Sequence, residues 1–411
     1  MKVLIIGRGG REHAIAWKVK ESKRVKEVFV APGNPGMVGT KLVNIDELDI
    51  SGLVDFAKKN EIDLTIVGPE SSLVNGVVDA FNKEGLKIFG PTRKASIIEG
   101  SKQYAKDLMR KHNIPTASYN TFADYDMAID YVKNVGVPIV IKYDGLAAGK
   151  GVVVAFSLDE ANDALKDMLK NAKYGEGKVV IEEYLEGPEF SLMAFVNGNS
   201  VYPMEIAQDH KRAFEGDLGP NTGGMGAYSP VPLIPDSVVK EAIEKIMIPA
   251  AKAMVMDNRC FTGILYGGLI LTKKGPKVIE FNARFGDPET EVVLPRLKND
   301  LIDVILDVMD DVDPSLSWSR EGTLGVVLAS KGYPGSYETG HEIKGLSDNS
   351  MIFHMGTSFD GTYKTNGGRV LFVVGKGDTI TKAQINAYDT ISNIKCDNLY
   401  YRKDIGYQVI K

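Results

Sequence analysis

Four short apolar segments, each closely followed by glycine, place the strongest constraint on the fold of the N-terminal part of the chain. They are rich in β-branched residues, amphipathic stretches lie between them at 12–24 and 51–60, and they read "KVLIIG", "EVFVAPG", "DLTIVGPE" and "KIFGPT". Strands that alternate with helices form a parallel sheet with helices on both faces, and such sheets bind ligands at the carboxyl edge of the strands. The sequence therefore predicts a doubly wound, Rossmann-like α/β domain over 1–100.

The first turn of this domain, "GRGGREHA", is glycine-rich, as in dinucleotide-binding proteins, but it does not fit their fingerprint. With Gly7 and Gly9 in the first two glycine positions, the third position is Glu12, and the second strand ends in "VAPGN" without the acid that binds a ribose hydroxyl. A glycine turn at a helix start can still bind phosphate through backbone N–H groups. The pattern favours a monophosphate or sugar phosphate over NAD. The alternative is a turn that needs glycine for geometry alone, with His13 as a packed helix residue.

Composition excludes several classes of protein. The chain has 411 residues and a net charge of −5, with charges of both signs mixed along it. No basic patch predicts binding to nucleic acid or to an anionic membrane, and no apolar stretch approaches the ~20 residues that span a bilayer. The two cysteines, Cys260 and Cys396, have no metal-ligand spacing, which disfavours a disulfide framework and a zinc site. We expect an unprocessed, cytoplasmic protein.

A second glycine-rich loop lies between two predicted strands in "PIVIKYDGLAAGKGVVVAF". It contains Gly145, Gly149, Lys150 and Gly151, and Lys142 precedes it. A P-loop needs four residues between its glycines, then Lys-Ser/Thr and a helix, whereas here three residues intervene and a strand follows. We therefore predict a mobile flap over phosphates, with Lys142 projecting from the sheet beneath it. A bare surface hairpin is the alternative.

A predicted strand ends in acidic residues in "KVVIEEYLEGPEFSL". Its backbone is expected to read the edge of an adenine, and a carboxylate there is expected to bind ribose hydroxyls, although a solvated acidic turn has the same composition. The candidate residues are Glu182, Glu183, Tyr184, Leu185 and Glu189.

Three polar residues interrupt an apolar strand in "VIEFNARFGDPETE". Side chains of a strand alternate between its faces, so Glu280, Asn282 and Arg284 share one face. An edge strand with a solvated face would show the same pattern. Glu280 and Asn282 offer the hard oxygen ligands that Mg²⁺ selects, and Arg284 offers a planar fork suited to a carboxylate or phosphate. The preceding strand, "GILYGGLIL", adds no acid, so the number of metal ions stays open.

Many short strings of this chain occur in the order found in one enzyme family. They are "GGREHA", "PGNPG", "GPE", "GSKQYAKDLM", "IPTA", "IKYDGLAAGKGV", "EEYLEGPEFS", "AQDHKR", "GPNTGGMGAYSP" and "EFNARFGDPETE". The chain thereby resembles the phosphoribosylamine–glycine ligases, also called glycinamide ribonucleotide synthetases, which are ATP-grasp enzymes of purine biosynthesis. The similarity extends from residue 1 to "YYRKDIGY". Arg8 departs from the family pattern, which has a small residue there, and this bears on the geometry of the first glycine turn.

The resemblance implies an activity and an architecture. The implied reaction joins glycine to 5-phosphoribosylamine through glycyl phosphate, uses ATP with Mg²⁺ or Mn²⁺, and yields glycinamide ribonucleotide, ADP and phosphate. The implied domains are an N-terminal domain over 1–100, an ATP-grasp body over 101–320 with an antiparallel lid at about 115–188, and a small C-terminal α/β domain over 321–411. The implied partners are these small molecules, and the expected state is a monomer or weak homodimer.

Site residues carried over from the family fall into three groups. Those implied in catalysis are Arg284, Lys142 and Asp209. Those implied for ATP are Lys102, Lys142, Gly149, Lys150 and Gly151, with the acidic strand end described above. Those implied for phosphoribosylamine, glycine or the acyl phosphate are Gly9, Gly10, Arg11, Glu12, Asn34, Pro35, Glu70, Asp209, His210, Lys211, Asp217, Thr222, Gly223, Gly224, Met225, Gly226 and Arg284. Asp209 or Asp217 is expected to meet an ammonium group, although "QDHKR" also reads as an ordinary polar loop.

Two other functions share parts of this pattern. Another ATP-grasp carboxylate–amine ligase would share the middle of the chain but not "GPNTGGMGAYSP". A non-catalytic nucleotide-binding regulator would keep the lysines and glycines but would not need Glu280 and Asn282 together. Among ligase mechanisms, neither cysteine lies in a motif for thiol catalysis, and a lysine-and-glycine flap facing metal ligands favours transfer of the terminal phosphoryl group over formation of an acyl adenylate.

Overall fold

The computed structural model describes residues 1–146, 151–347 and 351–410. Two of the predicted ATP-binding residues, Gly149 and Lys150, lie outside these ranges. Within them, no helix combines the length and the apolar character needed to cross a membrane.

The N-terminal sheet is parallel throughout and has the strand order β3-β2-β1-β4-β5. Its strands are β1 (Lys2–Gly7), β2 (Glu27–Pro32), β3 (Lys41–Leu42), β4 (Leu64–Val67) and β5 (Ile88–Phe89). The helices around it are α1 (Gly10–Lys20), α2 (Ile50–Lys59), α3 (Glu70–Val74) and α4 (Val77–Lys83). The doubly wound fold predicted from the βα rhythm is confirmed. The turns after β1, β2 and β4 meet at one edge of the sheet because parallel strands share their direction.

A separate antiparallel sheet, which we call the lid sheet, has the order β6-β9-β7-β8. Two short helices, α5 (Ile97–Gly100) and α6 (Lys102–Lys111), connect it to the N-terminal sheet. Its elements are β6 (Tyr119–Phe122), α7 (Tyr125–Val135), β7 (Ile139–Tyr143), β8 (Val152–Ala155), α8 (Leu158–Leu165) and β9 (Val179–Glu183). Lys142 on β7 pairs with Val152 on β8. The prediction of two antiparallel strands on either side of the glycine loop is therefore confirmed, and a strand–loop–helix is excluded.

The central sheet is antiparallel and has the order β11-β10-β16-β17. Its strands are β10 (Glu189–Asn197), β11 (Ser200–Pro203), β16 (Thr262–Thr272) and β17 (Gly275–Asn282). The helices beside it and after it are α9 (Asp236–Ala242), α10 (Ile248–Met256), α11 (Thr290–Val293) and α12 (Leu301–Met309). Glu280 and Asn282 are thus on the last strand of this sheet, opposite Gly268 and Tyr266.

The C-terminal sheet includes two strands from the middle of the chain. Its strand order is β12-β15-β18-β23-β20, and β24 (Leu399–Tyr400) also pairs with β18. The strands from the middle of the chain are β12 (Gln208–Asp209) and β15 (Gly226–Ser229). Those from the C-terminal part are β18 (Gly322–Ser330), β20 (Met351–His354) and β23 (Arg369–Gly377). Two small sheets flank it. One consists of β13 (Arg212–Phe214) and β14 (Leu218–Asn221), and the other of β19 (Glu342–Ile343), β22 (Tyr363–Thr365) and β21 (Thr357–Phe359). The helix α13 (Ile380–Asn393) follows β23. Residues 219–226, which include the predicted substrate residues Thr222–Gly226 and are called the substrate loop below, therefore lead directly into the C-terminal sheet.

Apolar packing separates the lid sheet from the rest of the molecule. Its core is formed by residues such as Ile129, Ile141, Leu165 and Ile181, and it is distinct from the large core that joins the N-terminal, central and C-terminal sheets. The site described below lies where these two parts of the molecule meet.

Candidate active site

A cavity of about 410 Å³ opens between the lid sheet and the rest of the molecule, and a smaller cavity of about 130 Å³ adjoins it. The two share Lys142, Glu182, Glu280 and Arg284 in their walls. Of the predicted residues, these cavities bring together Arg11, Glu70, Lys102, Lys142, Gly151, Glu182, Glu183, Tyr184, Leu185, Glu189, Asp209, Lys211, Thr222, Gly223, Glu280, Asn282 and Arg284. The acidic end of β9 and the substrate loop both contribute residues to the wall of the larger cavity.

Glu280 and Asn282 present their side chains to both cavities. Among the described residues, neither side chain has a hydrogen-bond or ion-pair partner. Burial opposes ionisation of Glu280, but the charges of Lys211, Lys142 and Lys102 outweigh it and lower the pKa of this carboxyl group. The pair thus offers an anionic oxygen and an amide oxygen that no group of the described residues occupies.

This donor set fits a hard divalent cation, which prefers oxygen ligands and is commonly bound by one or two carboxylates together with phosphate oxygens. Across the described ranges, no group of three or more His, Cys, Asp or Glu residues has metal-site geometry. A cation at Glu280 and Asn282 would therefore take its remaining oxygens from phosphate or water.

Lys142 and Lys106 lie on opposite sides of one buried carboxylate. Lys142 Nζ is 2.9 Å from Glu182 Oε1 and donates to the carbonyl of Ile279 at 2.9 Å. Lys106 Nζ is 2.7 Å from Glu182 Oε2 and donates to Thr116 Oγ1 at 2.8 Å. Burial lowers the pKa of Lys106 to about 8, although the charge of Glu182 opposes this. Lys106 was absent from the predicted site, yet it lies four residues after Lys102 on α6, a spacing that places both on one helix face.

Replacement of Lys106 by methionine is expected to raise the KM for ATP by roughly tenfold, because a lost hydrogen bond to a charged group costs about 1.5–3 kcal/mol. Without Lys106, Glu182 has Lys142 as its sole ion-pair partner in the described chain and holds it away from a phosphate. The matched control is Lys111→Met on the same helix, because Lys111 is largely exposed and pairs with Asp257 at the surface. Steady-state kinetics with varied ATP test this prediction, and equal KM values in the two variants would contradict it.

Arg284 is held by two carboxylates in the wall that both cavities share. Its Nη2 is 3.1 Å from Glu99, its Nε is 3.2 Å from Glu70, and its Nη1 donates to the carbonyl of Phe285. Burial opposes the charge of Arg284, but Glu99 and Glu70 together raise its pKa. Glu99 also accepts the N–H of Ala283 at 2.7 Å, and burial raises its pKa to about 7. Glu99 was not predicted, because nothing in "SIIEGSK" distinguishes it from a surface acid.

A second cluster of charged residues lies around Asp209. Lys211 Nζ is 2.6 Å from Glu189 and 3.9 Å from Asp209. Burial raises the pKa of Asp209 to about 7 against the charge of Lys211. Glu289, which was also missed, accepts hydrogen bonds from Ser191 and Tyr266 at 2.8 Å beside them. This end of the cavity therefore suits a ligand that carries both an ammonium and an anionic group.

Asn34 and Pro35 do not line either cavity. The Asn34 amide donates to the carbonyls of Arg8 at 2.7 Å and His354 at 2.9 Å, and its oxygen accepts the N–H of Gly36. His13 Nδ1 accepts the N–H of His354 at 2.8 Å, and burial lowers its pKa to about 3, as expected of a packed histidine. The "PGNPG" turn and α1 thus bind β20 of the C-terminal sheet.

His210 and Asp217 also lie outside the two cavities. His210 Nε2 accepts the N–H of Gly406, while Asp217 pairs with Arg402 at 2.9 Å and accepts the Tyr407 hydroxyl. These contacts join β12–β14 to the end of the chain. The remaining predicted residues outside the walls are Gly9, Gly10 and Glu12 at the start of α1, and Gly224, Met225 and Gly226 at the start of β15.

The first glycine turn is capped by a side chain of α1, the helix that follows it. Glu12 accepts the N–H of Gly9 at 2.6 Å and pairs with Arg11 at 2.6 Å, which caps the start of α1. The Arg8 side chain points to the surface, where it pairs with Asp46 at 2.8 Å and Glu47 at 3.0 Å. The departure from the family pattern at Arg8 therefore adds a surface contact beside the turn.

Comparison with known proteins gives consistent matches along the chain. Three family models match, those of the phosphoribosylglycinamide synthetase N domain over 1–99, ATP-grasp (A) domain over 100–290 and C domain over 323–408. A phosphoribosylamine–glycine ligase of Halalkalibacterium halodurans is 57% identical over 417 aligned residues, which cover 100% of this chain and 97% of that protein. The crystal structure of the phosphoribosylamine–glycine ligase from Thermotoga maritima superposes with a TM-score of 0.87 at 34% identity, covering 99% of this chain and 100% of the other.

The fold is shared more widely. Biotin carboxylase from Campylobacter jejuni superposes with a TM-score of 0.76 at 16% identity, covering 98% of this chain and 93% of the other. At that identity the likeness concerns the fold alone.

Proposed function

Because the chain belongs to the phosphoribosylglycinamide synthetase family, we propose that it is an ATP-dependent ligase that joins glycine to 5-phosphoribosylamine in purine biosynthesis. The products are glycinamide ribonucleotide, ADP and phosphate. The observation that carries this proposal is the row of Glu280, Asn282 and Arg284, which borders both cavities opposite Lys142. A carboxylate, an amide oxygen and a guanidinium group there suit a reaction that brings a nucleotide phosphate and a substrate carboxylate together.

ATP is expected to lie between the lid sheet and β17. Glu183, Tyr184 and Leu185 form the end of the larger cavity that would receive the adenine. Lys142, which is buried, and Lys102, which is half-buried, both line the smaller cavity and would bind the phosphates. Glu189, at the mouth, would accept hydrogen bonds from the ribose. The glycine loop after β7 would cover the phosphates and exclude water.

Glu280 and Asn282 would hold Mg²⁺ or Mn²⁺, because their oxygens have no partner within the described ranges. A bound cation would neutralise charge on the phosphates. Arg284 would orient the glycine carboxylate through its planar fork, and Asp209, when ionised, would pair with the glycine ammonium. Lys142 would stabilise the terminal phosphoryl group as it moves to the carboxylate, so that glycyl phosphate forms and the amine of phosphoribosylamine attacks it.

We also propose domain boundaries near residues 100 and 320 and a lid over about 115–188. The change from the parallel sheet to the lid sheet after α6 supports the first boundary, and the start of β18 at Gly322 supports the second. A cytoplasmic location and a monomeric or weakly dimeric state complete the proposal.

An ¹⁸O experiment tests the mechanism. Glycine labelled with ¹⁸O at both carboxylate oxygens is expected to transfer one label to the phosphate released with ADP, because direct phosphoryl transfer passes through a P–O–C bond to the carboxylate. Phosphate without label, or AMP with pyrophosphate as products, would contradict glycyl phosphate. ADP release measured with and without phosphoribosylamine and glycine separates the functions: a regulator binds ATP without glycine-dependent turnover, and a different ATP-grasp ligase turns over with another substrate pair.

A further inference from the structure

Phosphoribosylamine carries a phosphate dianion at the end of the molecule remote from its reacting amine. A buried phosphate needs charged donors, and a guanidinium fork matches its geometry. Three arginines line the larger cavity, namely Arg11, Arg284 and Arg369. The one that binds this phosphate must have N–H groups that the protein itself does not use.

Arg284 has the fewest to spare, because only one N–H on each of its two terminal nitrogens is left without a partner among the described residues. Each of its three nitrogens already has an oxygen partner, from Glu70, Glu99 or the carbonyl of Phe285. Arg11 is bound on one side, since its Nε pairs with Glu12 and its Nη1 donates to the same Phe285 carbonyl at 3.3 Å. Its Nη2 has no partner in the described part of the chain.

Arg369 is the least used of the three. It is the first residue of β23 in the C-terminal sheet, and its Nη1 donates to the carbonyl of Gly223 at 2.6 Å and lies 2.9 Å from Asp287. No described residue accepts a hydrogen bond from its Nε or Nη2. The guanidinium plane lies against Gly223, where an added Cβ would come within 3.0 Å of the Arg369 Cζ. Asp287 and Gly223 therefore fix one edge of the fork and leave the other edge free.

Arg11 and Arg369 both act on one buried carboxyl group, that of Glu291. Glu291 is fully buried, and neither of its oxygens has a hydrogen-bond partner within the described ranges. Burial, together with the charge of Asp287, raises the pKa of Glu291 well above its usual value, while Arg369 and Arg11 both act against this. Two further carboxylates near these arginines, Asp287 and Glu70, are each paired with an arginine.

We propose that Arg369, together with Arg11, binds the phosphate of phosphoribosylamine, so that the C-terminal sheet completes the substrate site. This inference rests on the proposed ligase function. Asp287 acts as a positioning residue that orients Arg369 through its ion pair at 2.9 Å. The amine end of the same substrate then points toward Arg284 and Asp209, where glycine is activated.

The reverse reaction tests this assignment with stable compounds. Glycinamide ribonucleotide and its dephosphorylated riboside are compared as substrates, each with ADP and inorganic phosphate, for the wild type and Arg369→Gln. The variant is expected to lose roughly 10- to 150-fold in kcat/KM for the ribonucleotide, the range for a hydrogen bond to a charged group. Its kcat/KM for the riboside and its KM for ADP are expected to stay at wild-type values.

Arg320→Gln is the matched control, because Arg320 is an exposed arginine just before β18 of the same sheet. Arg369→Lys keeps the charge and loses the fork, so it is expected to show a smaller loss of kcat/KM, confined to the ribonucleotide. This variant replaces Arg369→Gln if Arg369→Gln does not fold. Equal losses for ribonucleotide and riboside, or unchanged ribonucleotide kinetics, would overturn the assignment. A wild type without any glycine-dependent turnover would instead overturn the proposed function, and this inference with it.

Discussion

Replacement of Arg284 by methionine is expected to abolish most activity and to lower the free energy of unfolding by about 3–5 kcal/mol, the usual cost of removing one partner from a buried ion pair. The physical reason is that the buried Glu99 loses its guanidinium partner, while Glu70 keeps only the longer contact with Arg11 at 3.9 Å. Arg284→Lys keeps a charge but cannot contact Glu99, Glu70 and a substrate carboxylate together. We expect it to be folded and still strongly impaired in kcat/KM.

The stability loss in Arg284→Met is expected to depend on pH. The pKa of Glu99 is already raised to about 7 in the presence of Arg284. A carboxyl whose folded pKa is raised contributes stability at low pH that is lost as pH rises from its unfolded pKa to its folded pKa. Without Arg284 the pKa of Glu99 rises further, so the difference between variant and wild type widens between pH 6 and pH 8.

Urea unfolding at several pH values, with kcat/KM measured in parallel, tests this prediction. Arg24→Met is the control, because Arg24 forms an ion pair with Asp303 in which both side chains are about half exposed, and such pairs contribute about 0–1 kcal/mol. Near-normal kcat/KM in both Arg284 variants would show that the catalytic site has been misplaced.

Replacement of Glu280 by glutamine is expected to lower kcat/KM by roughly a thousandfold while leaving the fold intact. A cation that neutralises phosphoryl charge supplies several kcal/mol of transition-state stabilisation, and each 1.4 kcal/mol is a factor of ten. Glutamine keeps the shape and an oxygen but removes the charge. The fold is expected to survive because Glu280 has no hydrogen-bond partner to lose within the described ranges.

Kinetics over a range of Mg²⁺ and Mn²⁺ concentrations check this result, since a weakened metal site is expected to shift half-saturation to higher metal concentration. Glu241→Gln is the control, because Glu241 forms a surface pair with Lys245 on α9 and the turn after it. Unchanged metal dependence in Glu280→Gln would remove Glu280 from the proposed metal site.

Features that depend on neighbouring residues could be predicted from the sequence. The alternation of β17 placed Glu280 and Asn282 on one face, and Arg284, which follows the end of this strand at Asn282, borders the same cavities. Three residues between Gly145 and Gly149 excluded a P-loop in favour of a hairpin. Both results follow from local periodicity and turn chemistry. The N-terminal parallel sheet was predictable for the same reason, because each strand and helix has its own pattern.

Features that depend on distant pairing could not be predicted in this way. Asn34 has the composition of a ligand-binding turn, but its hydrogen bonds are used by Arg8, Gly36 and His354. Glu99 and Lys106 read as ordinary helix residues, and their importance appears once a second segment of the chain is packed against them. Arg369 lies outside every motif, because its role depends on the contact between β23 and the substrate loop.

The pairing of β15 with β18 has a consequence for the order in which the enzyme is made. Gly226, the last residue of the substrate loop, pairs with Val326, one hundred positions further along the chain. Ribosomes add residues from the N-terminus at about 5–20 per second, so the N-terminal sheet, the lid sheet and β12 emerge while β15 still lacks its neighbour β18. The substrate loop is consequently ordered after β18 and β23 have left the ribosome. A nascent chain is expected to acquire its nucleotide cleft once β17 has emerged, and the ability to bind its second substrate only near the end of synthesis.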